Sequence, residues 1–418
     1  MHDGDLIDLD ITGIAHGGVF VARHEGRVVF VSDTLPGERV RARLTDTRKK
    51  SFWRADAVEV LEAAPERRPH VWSAAAIDVA PDERPGGAEF GHIELAHQRR
   101  LKERVIREAF ERVGRLELPV DVRPAGDAAN PETADGTGWR TRVSLHVDEA
   151  GRVGPFAARS HRVIETPDLP LAAPAVAEAA AAARGAEPGR LDLVLPADGR
   201  VRVLPRPDGV RTRPTAEVIE ERVGDRTFRV DAGGFWQVHR LAATTLTSLV
   251  AEELTRSAGD LDPEALHLDL YGGVGLFAAT LADLGGPSTR VISVESDPRA
   301  TEHAGENLAE WIGARAETAR ADRFVSRLAA DASARERERL ARGVVLLDPP
   351  RAGAGRDVVE GIAALGPATV VYVACDPVAL ARDLATFAEH GYHADGGIRG
   401  VDLFPHSHHV EAVAVLRK

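Results

Sequence analysis

The strongest constraint on this chain is a pattern repeated through its last third. Four short apolar runs, Leu266–Leu270, Val291–Val294, Val344–Leu347 and Val370–Ala374, each end abruptly in a polar or glycine-rich turn, and helical patterns lie between them. Short apolar runs of this kind are strands buried on both faces, and strands alternating with helices build a parallel sheet. In such sheets ligands bind outside the carboxyl ends of the strands. The residues that close the runs, Tyr271, Glu295, Asp348 and Cys375, are therefore expected to converge on one rim.

The start of the chain reads differently. Leu6–Ile11 alternates apolar with polar residues, Gly17-Gly18 interrupts, and Val19–Ala22, Val28–Val31 and Val40–Leu44 follow with turns between them. Short strands at this spacing predict a small β-barrel over residues 1–62. Arg39, Arg41, Arg43, Arg48, Lys49, Lys50 and Arg54 cluster there with Asp46 as their one acid, beside Phe52 and Trp53. Basic groups interleaved with aromatics suit phosphate contact plus base stacking; a charged edge strand that resists aggregation is the other reading. Residues 63–230 are read as linkers (Pro65–Pro69, Pro81–Gly87) and a mixed α+β region. It holds a helix over Ile93–Val113 with Leu101, Val105, Ile106 and Phe110 as its stripe, and an alanine-rich helix within Ala172–Ala186. Strands are expected at Val143–Val147, Leu191–Leu195 and Val201–Leu204. Residues 231–418 form the α/β domain.

Composition excludes several classes. The chain has 418 residues, a net charge of −12 and a single cysteine. One cysteine rules out an internal disulfide framework, a cysteine-based zinc site and an all-cysteine iron–sulfur cluster. No apolar stretch is long enough to span a bilayer, and Met1–Asp5 is acidic without an apolar core. The chain is read as cytoplasmic, with no membrane partner. Its acidity argues mildly against general nucleic-acid binding, but it comes with an Ala-, Arg- and Asp-rich, Lys- and Met-poor composition of the kind a high-GC genome imposes.

The rim residues carry the chemistry. Asp269-x-Tyr271-Gly272-Gly273-Val274-Gly275 is a strand-to-helix turn whose glycines, Gly273 and Gly275 among them, admit close approach of a ligand. It does not match the G-x-G-x-x-G of dinucleotide sites. Glu295, ending the next strand, has a carboxylate suited to both hydroxyls of a ribose. Together they favour an adenosyl cofactor, best S-adenosylmethionine. Asp348-Pro349-Pro350-Arg351 is a stiff loop that places a carboxylate at the same rim. Cys375, followed by Asp376-Pro377, is a thiol at a strand end beside a helix N-terminus, a setting that favours the nucleophilic thiolate. His406, His408 and His409 lack the spacing of a metal site, and no metal is expected. Glu411, opening a final apolar run, is a carboxylate that partial desolvation would make a stronger base.

These motifs, in this order, resemble the RNA 5-methyluridine methyltransferase family over nearly the whole chain. Gly13–Gly18 through Thr34–Glu38 resembles the family's N-terminal TRAM domain, a small RNA-binding barrel, and Gly233–Val238 its segment leading into the catalytic domain. The resemblance implies a Rossmann-like methyltransferase domain, with Cys375 as nucleophile and Glu411 as proton-abstracting base. Gln237, Tyr271, Glu295 and Asp348 would line the cofactor and uracil site, and Arg41, Arg43, Arg48, Lys49, Lys50 and Phe52 would contact RNA. The implied partner is tRNA or rRNA and the implied state a monomer. The chain departs from the pattern at Leu276, where relatives often carry Asn, and at Asp376, where Cys-Asn-Pro is commoner. It also lacks the four cysteines that hold an iron–sulfur cluster in many relatives, with none in Val71–His92. Two other readings stay open: an amino-group RNA methyltransferase that needs no cysteine, and a non-catalytic RNA-binding protein. A cytosine C5 enzyme fits less well, because its Pro-Cys context is missing.

Overall fold

The computed structural model describes residues 1–183, 187–210 and 217–418. Strands β1 (Leu6–Ala15), β2 (Val19–His24), β3 (Arg27–Ser32), β4 (Arg39–Asp46) and β5 (Phe52–Glu62) close into the expected barrel, in the order β1-β2-β3-β5-β4. The alternation sets the inside: Ile7, Leu9 and Ile11 from β1 meet Val40, Ala42 and Leu44 from β4 in its core. Trp53 is also buried there, so of the two neighbouring aromatics only Phe52 keeps part of its ring accessible. Lys49 Nζ sits 4.8 Å from the centre of that ring.

The segment Pro81–Gly87, expected as linker, is held in place by one guanidinium. Arg84 is buried, and it donates to the carbonyls of Val79 (2.9 Å), Ile77 (2.7 Å) and Ala57 (3.1 Å) and to the Asp33 carboxylate (2.6 Å). Trp72 and Phe90 pack to either side of it in the chain, in two separate apolar clusters.

Helix α1 (Leu95–Ala109) joins the barrel to the rest. Leu101 packs into the barrel core, while Ile106, Ala109 and the following Phe110 pack under the large sheet. Each fully buried side chain of this size stabilises the fold by about 1.5–3 kcal/mol. After it come β6 (Val120–Pro124), β7 (Arg142–Val147), β8 (Val153–Gly154), α2 (Pro174–Ala182), β9 (Gly189–Val194) and β10 (Arg202–Pro207). The hairpin β11 (Val218–Val223) and β12 (Arg226–Asp231) closes the region. Strands β7–β10 form a small antiparallel sheet in the order β10-β9-β7-β8. Helix α2 is the alanine-rich helix; positions 184–186 at the end of that stretch lie outside the described residues.

The last part runs α3 (Ala242–Ala258), β13 (Leu266–Leu270), α4 (Leu276–Gly285), β14 (Arg290–Glu295), α5 (Pro298–Asn307), β15 (Ala314–Thr318), α6 (Ala321–Asp331) and α7 (Ala334–Ala341). Then follow β16 (Val344–Leu347), α8 (Arg356–Leu365), β17 (Thr369–Ala374), α9 (Pro377–Glu389), β18 (His393–Asp402) and β19 (Glu411–Arg417). The sheet order is β15-β14-β13-β16-β17-β19-β18-β6. Strands β13 to β17 are mutually parallel, and β19 enters antiparallel between β17 and β18. Strand order reverses between β13 and β16, which opens the ligand crevice there. The edge strand β6 comes from the 63–230 stretch and pairs in parallel with β18. Among the described residues no helix is long and apolar enough to cross a membrane.

Arg84→Ala is expected to cost about 3–5 kcal/mol, since it strips four acceptors of one buried donor. Urea unfolding of the full chain measures this; a loss below about 1 kcal/mol would mean that the segment is organised by other contacts.

Candidate active site

The rim at the β13/β16 crevice is built by backbone first. After β13 the chain turns through Tyr271 (φ 62°), Gly273 (φ 54°) and Gly275 (φ 90°). Tyr271 holds a left-handed conformation that a bulky residue rarely adopts, a mark of functional sites. A side chain on Gly272 would meet Ser293 Oγ at 2.0 Å, whereas one on Gly273 would point into open space. The turn is thus packed tight below and bare above, a cradle for a ligand laid over Gly273.

Asp269 fixes this turn from beneath. Its Oδ2 accepts from Ala278 N (3.0 Å), in the first turn of α4, and from Ser293 Oγ (3.2 Å), while its buried Oδ1 has no partner. Burial pushes its carboxyl up to about 7. Glu295 closes the cradle's side. Its Oε2 accepts from Gly273 N (3.1 Å) and its Oε1 from Asp297 N (2.8 Å), and the carboxylate remains partly accessible. Gln237 lies half-buried in the segment before α3, next to Trp236 in the core and two residues from Phe235, which is 74% exposed.

The second half of the rim is set by strand register. Ala374 of β17 pairs with Ala412 of β19 in antiparallel register, which puts Cys375 directly opposite Glu411. Glu411 is only 6% exposed, and burial, reinforced by Asp348, holds its carboxyl well above the ordinary range. Desolvation alone lifts Asp348 to about 7. Cys375 is half-buried; burial first, then Glu411 and Asp348, push its thiol up to about 12, and Arg351 opposes them. The crevice therefore holds two carboxyls and a thiol that are all driven toward their neutral forms.

Several residues missed by sequence reasoning hold this rim in place. Asp383 of α9 accepts at Oδ2 from Tyr372 Oη (2.7 Å), Ala354 N (2.8 Å) and Gly355 N (3.2 Å), pinning the loop that carries Asp348 and Arg351. Lys102 of α1 donates to Asp402 Oδ1 (2.5 Å) and to the carbonyl of Phe404 (2.9 Å), anchoring the loop before Glu411. His406 belongs to the same scaffold: its Nδ1 lies 3.0 Å from Gln98 Nε2 and its Nε2 2.7 Å from the carbonyl of Asp135. Only a neutral ring, accepting at Nδ1 and donating at Nε2, satisfies both partners. Among the described residues no three His, Cys, Asp or Glu side chains are grouped to hold a metal.

The structure brings together Tyr271, Gly273, Gly275, Glu295, Asp348, Cys375 and Glu411. It does not bring the basic barrel residues to them. The turn with Arg48, Lys49 and Lys50 follows β4, and Arg43 pairs with Leu6, at the start of β1. The end of β1 that meets the rim is nine residues further on, about 30 Å along the strand. Arg41 is already engaged by Asp8 (3.0 Å) and Glu59 (3.1 Å), and Arg48 by Asp46 (2.9 Å).

A carboxyl raised in the folded state loses stability as it ionises, so Asp269 should destabilise the fold as pH rises from about 4 to above 7. Asp269→Asn keeps an acceptor for Ala278 N and removes that titration. Urea midpoints at about pH 5 and pH 8 should differ less for the variant than for the native chain; an equal difference rules out this assignment.

Residues 3–58 match the TRAM domain model, and residues 200–418 match the model of the tRNA (uracil-5-)-methyltransferase family. An uncharacterized RNA methyltransferase of Streptomyces avermitilis is 38% identical, the match covering 99% of this chain and 98% of the relative. One of Streptomyces coelicolor is 37% identical, over 99% and 93%. Among solved structures, the tRNA (uracil-54, C5)-methyltransferase of Pyrococcus abyssi, in complex with S-adenosyl-L-homocysteine, superposes with a TM-score of 0.68. It covers 98% of this chain and 99% of that one, at 20% identity, and so shares the fold. A family model over the catalytic half, and relatives this similar from end to end, settle the membership: the chain belongs to the tRNA (uracil-5-)-methyltransferase family of RNA methyltransferases.

Proposed function

We propose that the chain transfers a methyl group from S-adenosylmethionine to C5 of a uridine in tRNA or rRNA, with Cys375 as nucleophile and Glu411 as base. The observation that carries this reading is the β17–β19 register, which sets the only thiol of the chain against a buried carboxyl at the ligand crevice.

The cradle suits the cofactor. Gly273 leaves open space above the turn, Glu295 offers carboxylate oxygens to a ribose, and Tyr271 and Asp348 close the strands on either side of the same crevice; Gln237 is assigned to the cofactor by the family resemblance alone. When bound, S-adenosylmethionine supplies an electrophilic methyl on a sulfonium. The protein's own residues must make C5 of uracil nucleophilic. Cys375 loses its proton to the solvent, and its sulfur bonds to C6; the C5–C6 electron pair moves to C5 as an enolate. C5 would then bond to the methyl carbon as the bond from that carbon to the sulfonium sulfur breaks, its electron pair staying on sulfur as a neutral thioether. Glu411, ionised, takes the C5 proton; the C5–C6 double bond re-forms and the sulfur leaves as thiolate. A desolvated carboxylate is a stronger base than a hydrated one, which suits removal of a carbon-bound proton. A paired uridine is out of reach of the crevice, so the target must be flipped out or lie in a loop.

Cys375→Ala should lower methyl transfer at least about 10³-fold while S-adenosylmethionine still binds. Glu411→Gln should slow turnover about 10²–10⁴-fold and let a covalent protein–RNA species accumulate. Because both groups are held in their neutral forms, the native rate should climb as pH rises through neutrality. RNA bearing 5-fluorouridine should form a denaturation-resistant adduct with the native chain, since fluorine does not leave as a proton does. Mass spectrometry of tRNA and rRNA from a deletion strain identifies the substrate by a lost methyluridine. An active Cys375→Ala variant would transfer the assignment to an amino-group methyltransferase, in which Asp348 orients a base nitrogen.

A further inference from the structure

The turn between β1 and β2 carries a barrel residue to the catalytic sheet. His16 Nε2 lies 3.2 Å from Oδ2 of Asp376, the residue after Cys375. Asp376 divides its oxygens: Oδ1 caps α9, accepting from Val378 N (3.0 Å) and Ala379 N (2.9 Å), and Oδ2 faces His16. The glycines after His16 make the approach possible. Gly17 and Gly18 have φ of 87° and 75°, and a side chain on Gly18 would come within 2.8 Å of His408. Residues Ile14–Gly18 and Cys375–Pro377 line one cavity, so the barrel turn is a wall of the space the thiol faces.

Charge gives this contact its meaning. Helix capping alone would be served as well by asparagine, which accepts the same backbone bonds without a charge. Asp376 follows Cys375 directly in the chain, so a carboxylate left unneutralised there would be a third acid near a thiol that already faces Glu411 and Asp348. Among the described residues Arg351 is the cation opposing those two, and it also opposes protonation of His16. The other basic groups of the cavity are engaged elsewhere. Lys102 is paired with Asp402 at 2.5 Å, His408 faces Glu89 at 3.4 Å, and His409, pushed to about 3 by burial, is neutral and 3.2 Å from Arg351. The hydrogen bond to Asp376 raises His16 against the pull of burial. Burial works against the ionised form of Asp376, and the bonds from His16 and the helix N–H groups overcome it.

We propose that His16 is a positioning residue for the nucleophile: in its protonated form it holds and neutralises Asp376, so that the thiolate of Cys375 forms beside two carboxyls rather than three. The barrel thereby takes part in the chemistry through a single ion pair. This inference rests on the reading of Cys375 as nucleophile.

The single cysteine makes the test direct. Alkylation of the full chain by iodoacetamide forms a bond from the Cys375 thiolate to carbon and releases iodide, so its rate at fixed pH follows thiolate formation. No RNA is needed. At about pH 6.5, where the raised His16 is at least half protonated, His16→Ala should slow alkylation about three- to tenfold, a shift of up to one unit in the thiol. His16→Gln, which keeps a donor without the charge and is the milder change, should slow it similarly. Asp376→Asn should react at least as fast as the native chain, and adding His16→Ala to it should change nothing further. The proposal is overturned if His16→Ala and His16→Gln leave the rate unchanged, or if they slow it equally on the Asp376→Asn background. Failure of the 5-fluorouridine adduct alone would sink the uridine C5 reading and leave the alkylation cycle intact.

Discussion

The site depends on one reversal of strand direction. Strands β13 to β17 are parallel and deliver their carboxyl ends to one rim, but β19 runs the other way and brings its first residue there. Only an antiparallel neighbour can set the start of one strand against the end of another. Had β19 been parallel, its last residues, near Arg417, would have lain opposite Cys375, and Glu411 would have stood at the opposite edge of the sheet. The reversal also brings the loop 403–410 over the crevice, where the Lys102–Asp402 pair and the His406 bonds fix it to α1.

The electrostatics of the crevice follow from desolvation. Asp269, Asp348 and Glu411 are all pushed toward the neutral acid, and burial is the first cause for each. An ionised carboxylate in a dry site has lost its water and found no full replacement, so the proton stays on. These three carboxyls therefore store little charge at rest. Groups that must ionise during a reaction gain nucleophilic and basic strength from the same lack of solvation. On the proposed reading, the enolate and the thiolate are the charges for which the environment is arranged, and Arg351 is positioned on the loop that can meet them.

Much of this was legible in the sequence, and the exceptions share a cause. The barrel strands and β13, β14, β16 and β17 have strong periodic signals because each is buried on one or both faces. Strand β15 reads Ala-Arg-Ala-Glu-Thr and β6 reads Val-Asp-Val-Arg-Pro; both are sheet edges whose outer faces are wet, so neither has a distinctive apolar pattern. Tyr271, Glu295, Asp348 and Cys375 were legible because they close strands, and position in a parallel sheet predicts where strand ends go; Glu411, which opens an antiparallel strand, was not placed on the rim by that rule. Asp383 and Lys102 were not, because they act from helices through contacts far apart in sequence, and a lone charged residue on a helix looks like a solvated one. Arg84 was hidden the same way inside an apparent linker. Phe52 and Trp53 are adjacent in sequence, but a one-residue step along a strand changes the face, and it is Trp53 that turns inward and Phe52, the aromatic expected to meet RNA, that stays accessible.

On the proposed reading, the geometry of β1 gives the barrel two separate tasks. One end of the strand reaches the catalytic rim through His16; the other lies beside Arg43 and leads to the turn with Arg48, Lys49 and Lys50. A nucleotide in the crevice and a phosphate at the basic turn would lie too far apart to belong to adjacent residues of one strand, since consecutive phosphates are separated by only a few ångströms. On the proposed reading the two ends therefore touch different parts of a folded RNA, and the distance between them measures shape rather than sequence. Shape recognition of this kind suits a barrel some of whose basic residues are already paired with acids. Arg41 and Arg48 keep their carboxylate partners until phosphates displace them, so a contact that engages both ends is favoured over one that offers only loose negative charge.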